Sequence, residues 1–487
     1  AARSGAGAFP EPPIGSPPVS ATPDPTTAPV VPADVNALSE KVWPPDARRA
    51  EDGSLTLGGV PVADHRHLFG TPLYVIDEIA VRNRAREVRE AFDAAAARHG
   101  TRATVYYAGK AFLCTEAVRW VTAEGLNVDV ATGGELAVAL AAGADPARLG
   151  LHGNNKSEIE LTRAVTAGVG TVVVDSGIEI ERLASIAAGH DVVQNVAVRV
   201  NSGVHAETHD FLATAHEDQK FGFTLSAAEA AVGRIRELPS LRFTGLHCHI
   251  GSQIFGVVGF AESASRVIGL HARLLRDGEE LTVNLGGGFG IAYTDADEPT
   301  PIAELADEII AAVAGECADR GIPVPPLAFE PGRAIVGRAG VTLYEVGTVK
   351  PVAVGEDLER VYVSVDGGMS DNARPALYGA AYSARLASRR SDAAPALARV
   401  VGKHCEAGDI VVDAEWLPGD VAAGDLLAVP ATGAYCFSLS STYNYVPRPP
   451  VIAVGDGAAR VIVRGETIDD LLARDTGMPV ATTEGNE

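Results

Sequence analysis

The 487-residue sequence lacks three features, and each absence excludes a class of protein. It has only five cysteines, an odd number without a CxxC pair, so we expect neither a disulfide framework nor a structural zinc site, and we expect a cytoplasmic location. It has no run of about 20 apolar residues, the length that a membrane-spanning helix needs. Basic residues are outnumbered, 40 against 63 acidic ones, for a net charge of −23. Such a chain repels nucleic acid and anionic lipid, which we exclude as partners.

Both ends of the chain differ from the rest in composition. Nine prolines punctuate residues 1–36 among Ala, Gly, Ser and Thr, without an apolar period. A segment of this kind buries too little apolar surface to offset its ordering entropy. We therefore predict a disordered leader over residues 1–36 and, on similar composition, a disordered tail over residues 476–487.

Between these ends, the first half of the chain alternates short apolar runs with segments of helical period. Short runs joined by helices indicate parallel strands in βα units. The predicted strands are residues 104–108, 127–131, 148–152, 171–175, 195–201, 243–249, 282–285 and 327–330. Eight such units predict an α/β fold, a (β/α)₈ TIM barrel over residues 76–338. An open, doubly wound sheet is the alternative.

After about residue 338 the pattern changes to alternating apolar and polar residues separated by Gly, Pro and Asp turns. Helical periodicity nearly vanishes there until residues 468–473. This alternating pattern predicts an all-β domain over residues 339–475, built as two packed sheets or an open barrel. Residues 37–75 contain a similar run, SLTLGGVPV, so we predict that this segment joins the second, C-terminal domain.

Polar residues follow several of the predicted strands, where the chemistry of a TIM barrel lies. Lys110 follows the first strand, His249 ends the sixth, the glycines of 286–290 follow the seventh, and Glu330 and Arg333 follow the eighth. Taken alone, each has an ordinary interpretation. Lys110 is then a solvated lysine, His249 a core histidine and residues 286–290 a tight turn, and Glu330 forms an ion pair with Arg333. Together they suit one ligand, with its aldehyde on the lysine, its ring against the histidine, its ring nitrogen at the glutamate and its phosphate at the glycines. That ligand is pyridoxal 5′-phosphate.

Four more polar residues fall at the same strand ends. Asp129 lies in the second strand, His152 ends the third, and His247 and Ser252 belong to the sixth. We interpret His247 as a hydrogen-bonded core histidine. Arg333 is predicted to bind a phosphate or a substrate carboxylate.

Seven segments of the sequence carry a resemblance to a known family. In chain order they are YAGKAF, GLHCHIGSQI, NLGGGFGI, EPGRAIVG, VDGGMSDNARPALYGA, GKHCEAGDI and GAYCFSLSSTYN. They resemble the signature segments of the diaminopimelate decarboxylases, which belong to the alanine racemase-like group of pyridoxal phosphate enzymes together with ornithine and arginine decarboxylases. The resemblance extends from about residue 40 to 475 and implies a barrel followed by a β domain.

This resemblance implies a role for individual residues. Lys110 resembles the lysine that binds the cofactor, and Cys405 resembles the acid that returns a proton to the product; Lys110 is the alternative proton donor. The residues expected to bind the cofactor are Lys110, Asp129, His249, Ser252, Gly286, Gly287, Gly288, Glu330, Arg333 and Tyr435. The residues expected to bind the substrate are Arg333, Arg374, Tyr378, Glu406 and Tyr435. No metal site is expected.

The activity that the resemblance implies is decarboxylation of meso-2,6-diaminopimelate to L-lysine and CO₂, the last step of lysine biosynthesis. In the family, the residues matching Cys405 and Glu406 reach the neighbouring subunit, which implies a homodimer with shared active sites. One alternative is a related decarboxylase acting on ornithine, lysine, arginine or a carrier-bound amino acid. A non-catalytic homologue is disfavoured because both Lys110 and Cys405 are present.

Overall fold

The structure is a computed structural model that describes residues 29–204, 220–354 and 359–478. The predictions for residues 1–28 and 479–487 lie outside this range. The described end of the predicted leader contacts the second domain: Trp416 Nε1 donates to the carbonyl of Pro29 at 2.6 Å, and Asn36 Nδ2 donates to the carbonyl of Ser391 at 2.9 Å. Within the described ranges, no helix is both long and apolar enough to cross a membrane.

The N-terminal part of the chain forms a small antiparallel sheet and then enters the second domain. Its elements are β1 (Arg48–Arg49), β2 (Leu55–Leu57), β3 (Val60–Pro61), α1 (Val62–Phe69), β4 (Leu73–Asp77) and α2 (Glu78–Arg98). The alternating run SLTLGGVPV is strand only in part. From Val62 the chain turns helical, because Val62 and His65 are buried at helical spacing.

Nine strands form the first large sheet, and eight of them close into a barrel. They are β5 (Ala103–Ala108), β6 (Asn127–Val130), β7 (Leu149–Leu151), β8 (Thr171–Val174), β9 (Gln194–Asn201), β10 (Phe223–Thr224), β11 (Leu241–His247), β12 (Thr282–Asn284) and β13 (Leu327–Phe329). The ring runs β5-β6-β7-β8-β9-β11-β12-β13, and β13 pairs with β5, all in parallel; β10 pairs with β9 outside the ring. The predicted barrel is confirmed, and the open sheet is wrong.

Helices connect the barrel strands. They are α3 (Thr115–Ala123), α4 (Gly133–Ala141), α5 (Glu158–Ala167), α6 (Gly177–Gly189), α7 (Leu225–Glu237), α8 (Val258–Leu274) and α9 (Ile302–Arg320). The side chains of Thr132, Ser157 and Ser176 cap α4, α5 and α6 by accepting a backbone N–H bond from the first turn. These caps explain why each helix starts just past its strand.

The second domain is a mixed sheet. Its elements, with the short helices, are α10 (Arg333–Val336), β14 (Gly340–Ala353), β15 (Glu359–Val365), α11 (Arg374–Tyr378), β16 (Arg385–Leu386), β17 (Pro395–Val401), β18 (Ile410–Pro418), β19 (Leu426–Pro430), β20 (Val451–Gly455), β21 (Ala458–Val463) and α12 (Ile468–Leu472). The strand order is β18-β17-β15-β14-β4-β20-β21, and β19 joins β14 to β16. The long strand β14 pairs with β4 and β19 along its first half and with β15 along its second half. The predicted β domain is confirmed, and β14 links its nine strands by hydrogen bonds.

An aromatic cluster fixes α2 against the barrel. The ring of Phe92 stacks on that of Phe329 with centroids 4.0 Å apart, and it lies 5.6 Å from the ring of Phe289. Both Phe92 and Phe329 are fully buried. Since α2 begins directly after β4, this cluster also fixes the point where the chain passes from the second sheet to the barrel.

Phe92→Ala is expected to lower the free energy of unfolding by about 3–5 kcal/mol, because it removes a buried ring and leaves a cavity between α2 and the barrel. Chemical denaturation with tryptophan fluorescence measures the loss. Leu68→Ala is the control, since Leu68 is 65% exposed. Equal stability of the two variants would contradict the packing described for α2.

Candidate active site

The carboxyl ends of the barrel strands surround a cavity of about 440 Å³. Its lining residues are Ala108, Lys110, Asp129, His249, Gly251, Ser252, Gly287, Gly288, Phe289, Glu330, Gly332, Arg333 and Tyr435. Of these lining residues, Tyr435 belongs to the second domain. Its N–H donates to the carbonyl of Ala111 at 2.7 Å, which fixes Tyr435 against the single turn that carries Lys110. The structure thus brings most of the predicted cofactor residues together.

Glu330 is the most fully partnered side chain of this cavity. Its Oε1 accepts a hydrogen bond from Asn284 Nδ2 at 2.6 Å, and its Oε2 lies 3.1 Å from His247 Nε2. His152 Nε2 contacts Oε1 at 3.2 Å. Burial raises the pKa of Glu330, but the two histidines outweigh it and hold that pKa well below its usual range. In the described residues Glu330 has no ion pair with Arg333, so that alternative is wrong.

The pKa values of the two histidines beside Glu330 shift in opposite directions. Burial lowers the pKa of His247 to about 4, so this imidazole is neutral at pH 7. Burial also lowers the pKa of His152, but Asp129 and Glu330 outweigh it and the net shift is upward. Burial in turn raises the pKa of Asp129, whose Oδ1 lies 3.6 Å from His152 Nε2. The carboxylates thus favour the protonated form of His152, whereas His247 is neutral and completes the hydrogen bonds of Glu330.

His249 and the glycine loop form one wall of the cavity. His249 Nδ1 accepts a hydrogen bond from the N–H of Gly287 at 3.3 Å, and burial lowers the pKa of His249 to about 3. Gly286 and Gly288 have φ of +71° and +103°, a region that side chains disfavour. A Cβ on Gly287 would lie 2.0 Å from the carbonyl oxygen of Glu330. The loop therefore requires glycine for its close approach to the eighth strand.

Two arginines face an outer cavity of about 1520 Å³, which shares Lys110 with the inner one. Arg333 Nη2 donates to Ser252 Oγ at 2.6 Å, and Arg374 Nη1 donates to Tyr382 OH at 2.6 Å. Arg333 also donates to Tyr293 OH, and the guanidinium carbon of Arg374 lies 4.7 Å from the ring centroid of that tyrosine. Over residues 29–204, 220–354 and 359–478, neither arginine pairs with a carboxylate.

The remaining predicted residues lie farther out. Tyr378 lines the outer cavity and is 68% exposed. Cys405 and Glu406 are exposed on the turn between β17 and β18 and line neither of the two cavities. The N–H of Cys405 donates to Asn444 Oδ1 at 3.1 Å. Within this chain, the structure does not bring Cys405 and Glu406 to Lys110.

The structure places several residues at this site to which the sequence assigns no role there. His152 and His247 lie at predicted strand ends, and both contact Glu330. The signal for them is that a buried glutamate needs a polar partner. Asn284 lies at the end of β12, in the predicted seventh strand. Tyr293 and Tyr382 lie in loops and carry no sequence signal, because their role depends on contacts with distant arginines.

Comparison with known proteins agrees with this geometry. The family model described as "Pyridoxal-dependent decarboxylase, pyridoxal binding domain" matches residues 80–337. The diaminopimelate decarboxylase of Mycobacterium tuberculosis is 55% identical over 90% of this chain and 98% of its own length, and that of Bacillus subtilis is 42% identical over 88% and 97%. The solved diaminopimelate decarboxylase of M. jannaschii in complex with L-lysine superimposes with a TM-score of 0.82 at 30% identity, covering 89% of this chain and 98% of that one.

The chain belongs to the diaminopimelate decarboxylase family. The resemblance seen in the seven sequence segments is confirmed, and the cofactor is pyridoxal phosphate. The donor set fits this cofactor: the cavity offers an amine, a neutral imidazole, an ionised carboxylate and a glycine loop that no side chain obstructs.

Gly287→Ala is expected to weaken cofactor binding about tenfold to hundredfold, because the new methyl group would overlap the backbone of Glu330 and overpacking of this kind costs about 1–3 kcal/mol. Absorbance during titration of pyridoxal phosphate into the apoprotein measures the affinity. Gly315→Ala is the matched control, since no neighbouring atom lies within 4 Å of a Cβ at this position in α9. Equal affinities in the two variants would refute the requirement for glycine.

Proposed function

We propose that this enzyme removes CO₂ from the D-configured α-carbon of meso-2,6-diaminopimelate and releases L-lysine, as the last step of lysine biosynthesis. The observation that carries the substrate assignment is the pair Arg333 and Arg374, which face the outer cavity without a carboxylate partner in the described residues. A buried guanidinium is stabilised by a carboxylate. A substrate with a carboxylate at each end supplies one for the reaction and one for binding.

In the proposed mechanism, the cofactor supplies an electron sink for the pair of electrons left when CO₂ departs. Lys110 would hold the cofactor through Nζ. Glu330, kept ionised by its histidines, would accept a hydrogen bond from the ring nitrogen and so keep a proton there. The neutral imidazole of His249 would pack against the ring.

The other side chains of the pocket bind and orient. We assign the N–H groups of the loop at Gly286, Gly287 and Gly288, with Ser252, to the cofactor phosphate, and Asp129 to the charge balance beside Lys110. Arg333 and Tyr435 lie between the inner and outer cavities and contact both cofactor and substrate in this assignment. Arg374 binds the distal carboxylate, and Tyr378 closes the mouth.

We further propose a homodimer in which Cys405 and Glu406 complete the neighbouring site. Both are exposed and lie outside the cavities of their own chain, so a second copy is the simplest way to bring them to a substrate. Cys405 Sγ then returns a proton to the α-carbon, and Glu406 binds the distal ammonium group. A polar site of this kind discriminates strongly, because an analogue lacking a group leaves a buried charge unpaired.

The domain limits and the location are parts of the same proposal. We assign residues 76–338 to the cofactor-binding barrel and residues 37–75 with 339–475 to the β domain. The five cysteines are all free in the structure, in keeping with work in the cytoplasm.

The substrate assignment predicts release of CO₂ from meso-diaminopimelate, with at least about a hundredfold lower kcat/KM for ornithine, lysine and arginine, because these lack the second carboxylate. Lys110→Ala should lose at least about a thousandfold in rate. After borohydride treatment, mass spectrometry should find the cofactor attached to the wild-type chain at Lys110. Release from ornithine but not from diaminopimelate would overturn the assignment.

The shared site predicts complementation between two inactive variants. Mixing Lys110→Ala and Cys405→Ala chains in equal amounts should restore about a quarter of wild-type activity, because half of randomly paired dimers are mixed and each then has one intact site. The activity of the mixture after subunit exchange, verified by mass, is the measurement. No recovery despite proven exchange would exclude sites shared in this way.

A further inference from the structure

Two loops of the second domain lie side by side and meet at one buried carboxylate. The arginine loop, residues 366–373, connects β15 to α11 and leads into Arg374. The cysteine loop, residues 402–409, connects β17 to β18 and carries Cys405. Asp409, the last residue of the cysteine loop, is only 4% exposed. It lines neither of the cavities described above.

Asp409 accepts a backbone hydrogen bond from each loop. Its Oδ1 accepts the N–H of Met369 at 2.6 Å, and its Oδ2 accepts the N–H of His404 at 2.8 Å. Hydrogen bonds to an ionised acceptor are roughly twice as strong as neutral ones. The two oxygens of one carboxylate thus hold the arginine loop and the cysteine loop at a fixed separation.

Further contacts run alongside this bridge. His404 Nε2 lies 2.9 Å from Ser370 Oγ, and the N–H of Lys403 donates to the carbonyl of Gly367 at 2.9 Å. The side chain of His404 is buried, whereas the next residue, Cys405, is exposed. The buried side chain of His404 therefore anchors the cysteine loop immediately before the exposed Cys405.

Two glycines make room for the carboxylate. A Cβ on Gly402 would lie 2.2 Å from an Asp409 carboxylate oxygen, and one on Gly368 would lie 2.5 Å from the other. Real Cβ atoms do not approach oxygen this closely, so a side chain at either position displaces Asp409. Each loop thus contributes one glycine to the pocket that holds this side chain.

We infer that Asp409 is a positioning residue that fixes where the cysteine loop presents Cys405 and Glu406. The inference rests on the proposed function, in which Arg374 serves the site of its own chain while Cys405 and Glu406 serve the site of the neighbour. Asp409 then joins groups that belong to two different active sites, and a shift of one loop is transmitted to the other site.

Asp409→Asn tests this inference. An amide offers one acceptor oxygen and an NH₂ group that cannot accept a backbone N–H, so one of the two loops loses its partner. We expect kcat/KM for diaminopimelate to fall about tenfold or more, with unchanged affinity for pyridoxal phosphate. Asp413→Asn on β18 is the control, because Asp413 is 57% exposed and its partner Arg399, in β17, belongs to neither loop. Activities of the two variants within twofold of each other would overturn the inference.

Mixed dimers then separate positioning from a general defect. Lys110→Ala chains supply an intact cysteine loop to the site that contains Lys110 of the Asp409→Asn chain. Activity should therefore rise toward about a quarter of wild type on mixing, because each mixed dimer then contains one site that combines Lys110 with an intact cysteine loop. No rise, while Cys405→Ala and Lys110→Ala complement each other, would show that Asp409 acts on its own site and overturn the inference. If those two variants do not complement each other either, the shared site fails, and this inference fails with it.

Gly402→Ala covers the case in which Asp409→Asn does not fold. The new Cβ would lie 2.2 Å from an Asp409 carboxylate oxygen, so it displaces the bridging carboxylate and removes no side chain from either loop. We expect a severalfold loss of kcat/KM, normal cofactor binding and the same recovery with Lys110→Ala. Wild-type kcat/KM in Gly402→Ala would show that the position of Asp409 does not matter to the site and would overturn the inference.

Discussion

A charged carboxylate buried at the centre of the barrel is the constraint on which the rest of the site depends. Glu330 stays ionised because polar partners surround it: Asn284 from β12, His247 from β11 and His152 just past β7. Three different strands must therefore end at the same level of the barrel, so that their side chains reach Glu330. The closed barrel satisfies this requirement because its parallel strands all present their carboxyl ends to the same rim.

In the outer half of the site, the buried charges are not compensated by charges of opposite sign. Arg333 and Arg374 are buried against tyrosine rings and hydroxyl groups, and they lack carboxylate partners among the described residues. Hydroxyl and π contacts hold a guanidinium in place without neutralising it, so the positive charge remains available for a ligand. The same chain therefore compensates its own charge in the inner cavity and leaves positive charge uncompensated in the outer cavity.

The sequence predicts the parts of this enzyme that depend on local pattern. All eight barrel strands are readable because strands buried on both faces are continuous apolar runs. Helix α2 also has a local pattern, since Val81, Ala85, Val88 and Phe92 are buried at helical spacing. The helical continuation at Val62 has no such clear pattern, because it lies within an apparent strand. The pairing of Arg333 with Tyr293 had no local signal, since the two residues come together only through the closed fold. In the proposed dimer, the place of Cys405 depends on a second chain, which no single sequence describes.

Strand β4 has a consequence for synthesis of the protein. All five of its residues are buried, and its neighbours β14 and β20 follow about 260 and 370 residues later in the chain. At ribosomal speeds of roughly 5–20 residues per second, this apolar strand waits ten seconds or more with both edges unpaired, while the barrel is being synthesised. Such an edge is a template for aggregation until it is paired. During translation, β4 is therefore a segment that a chaperone would have to cover.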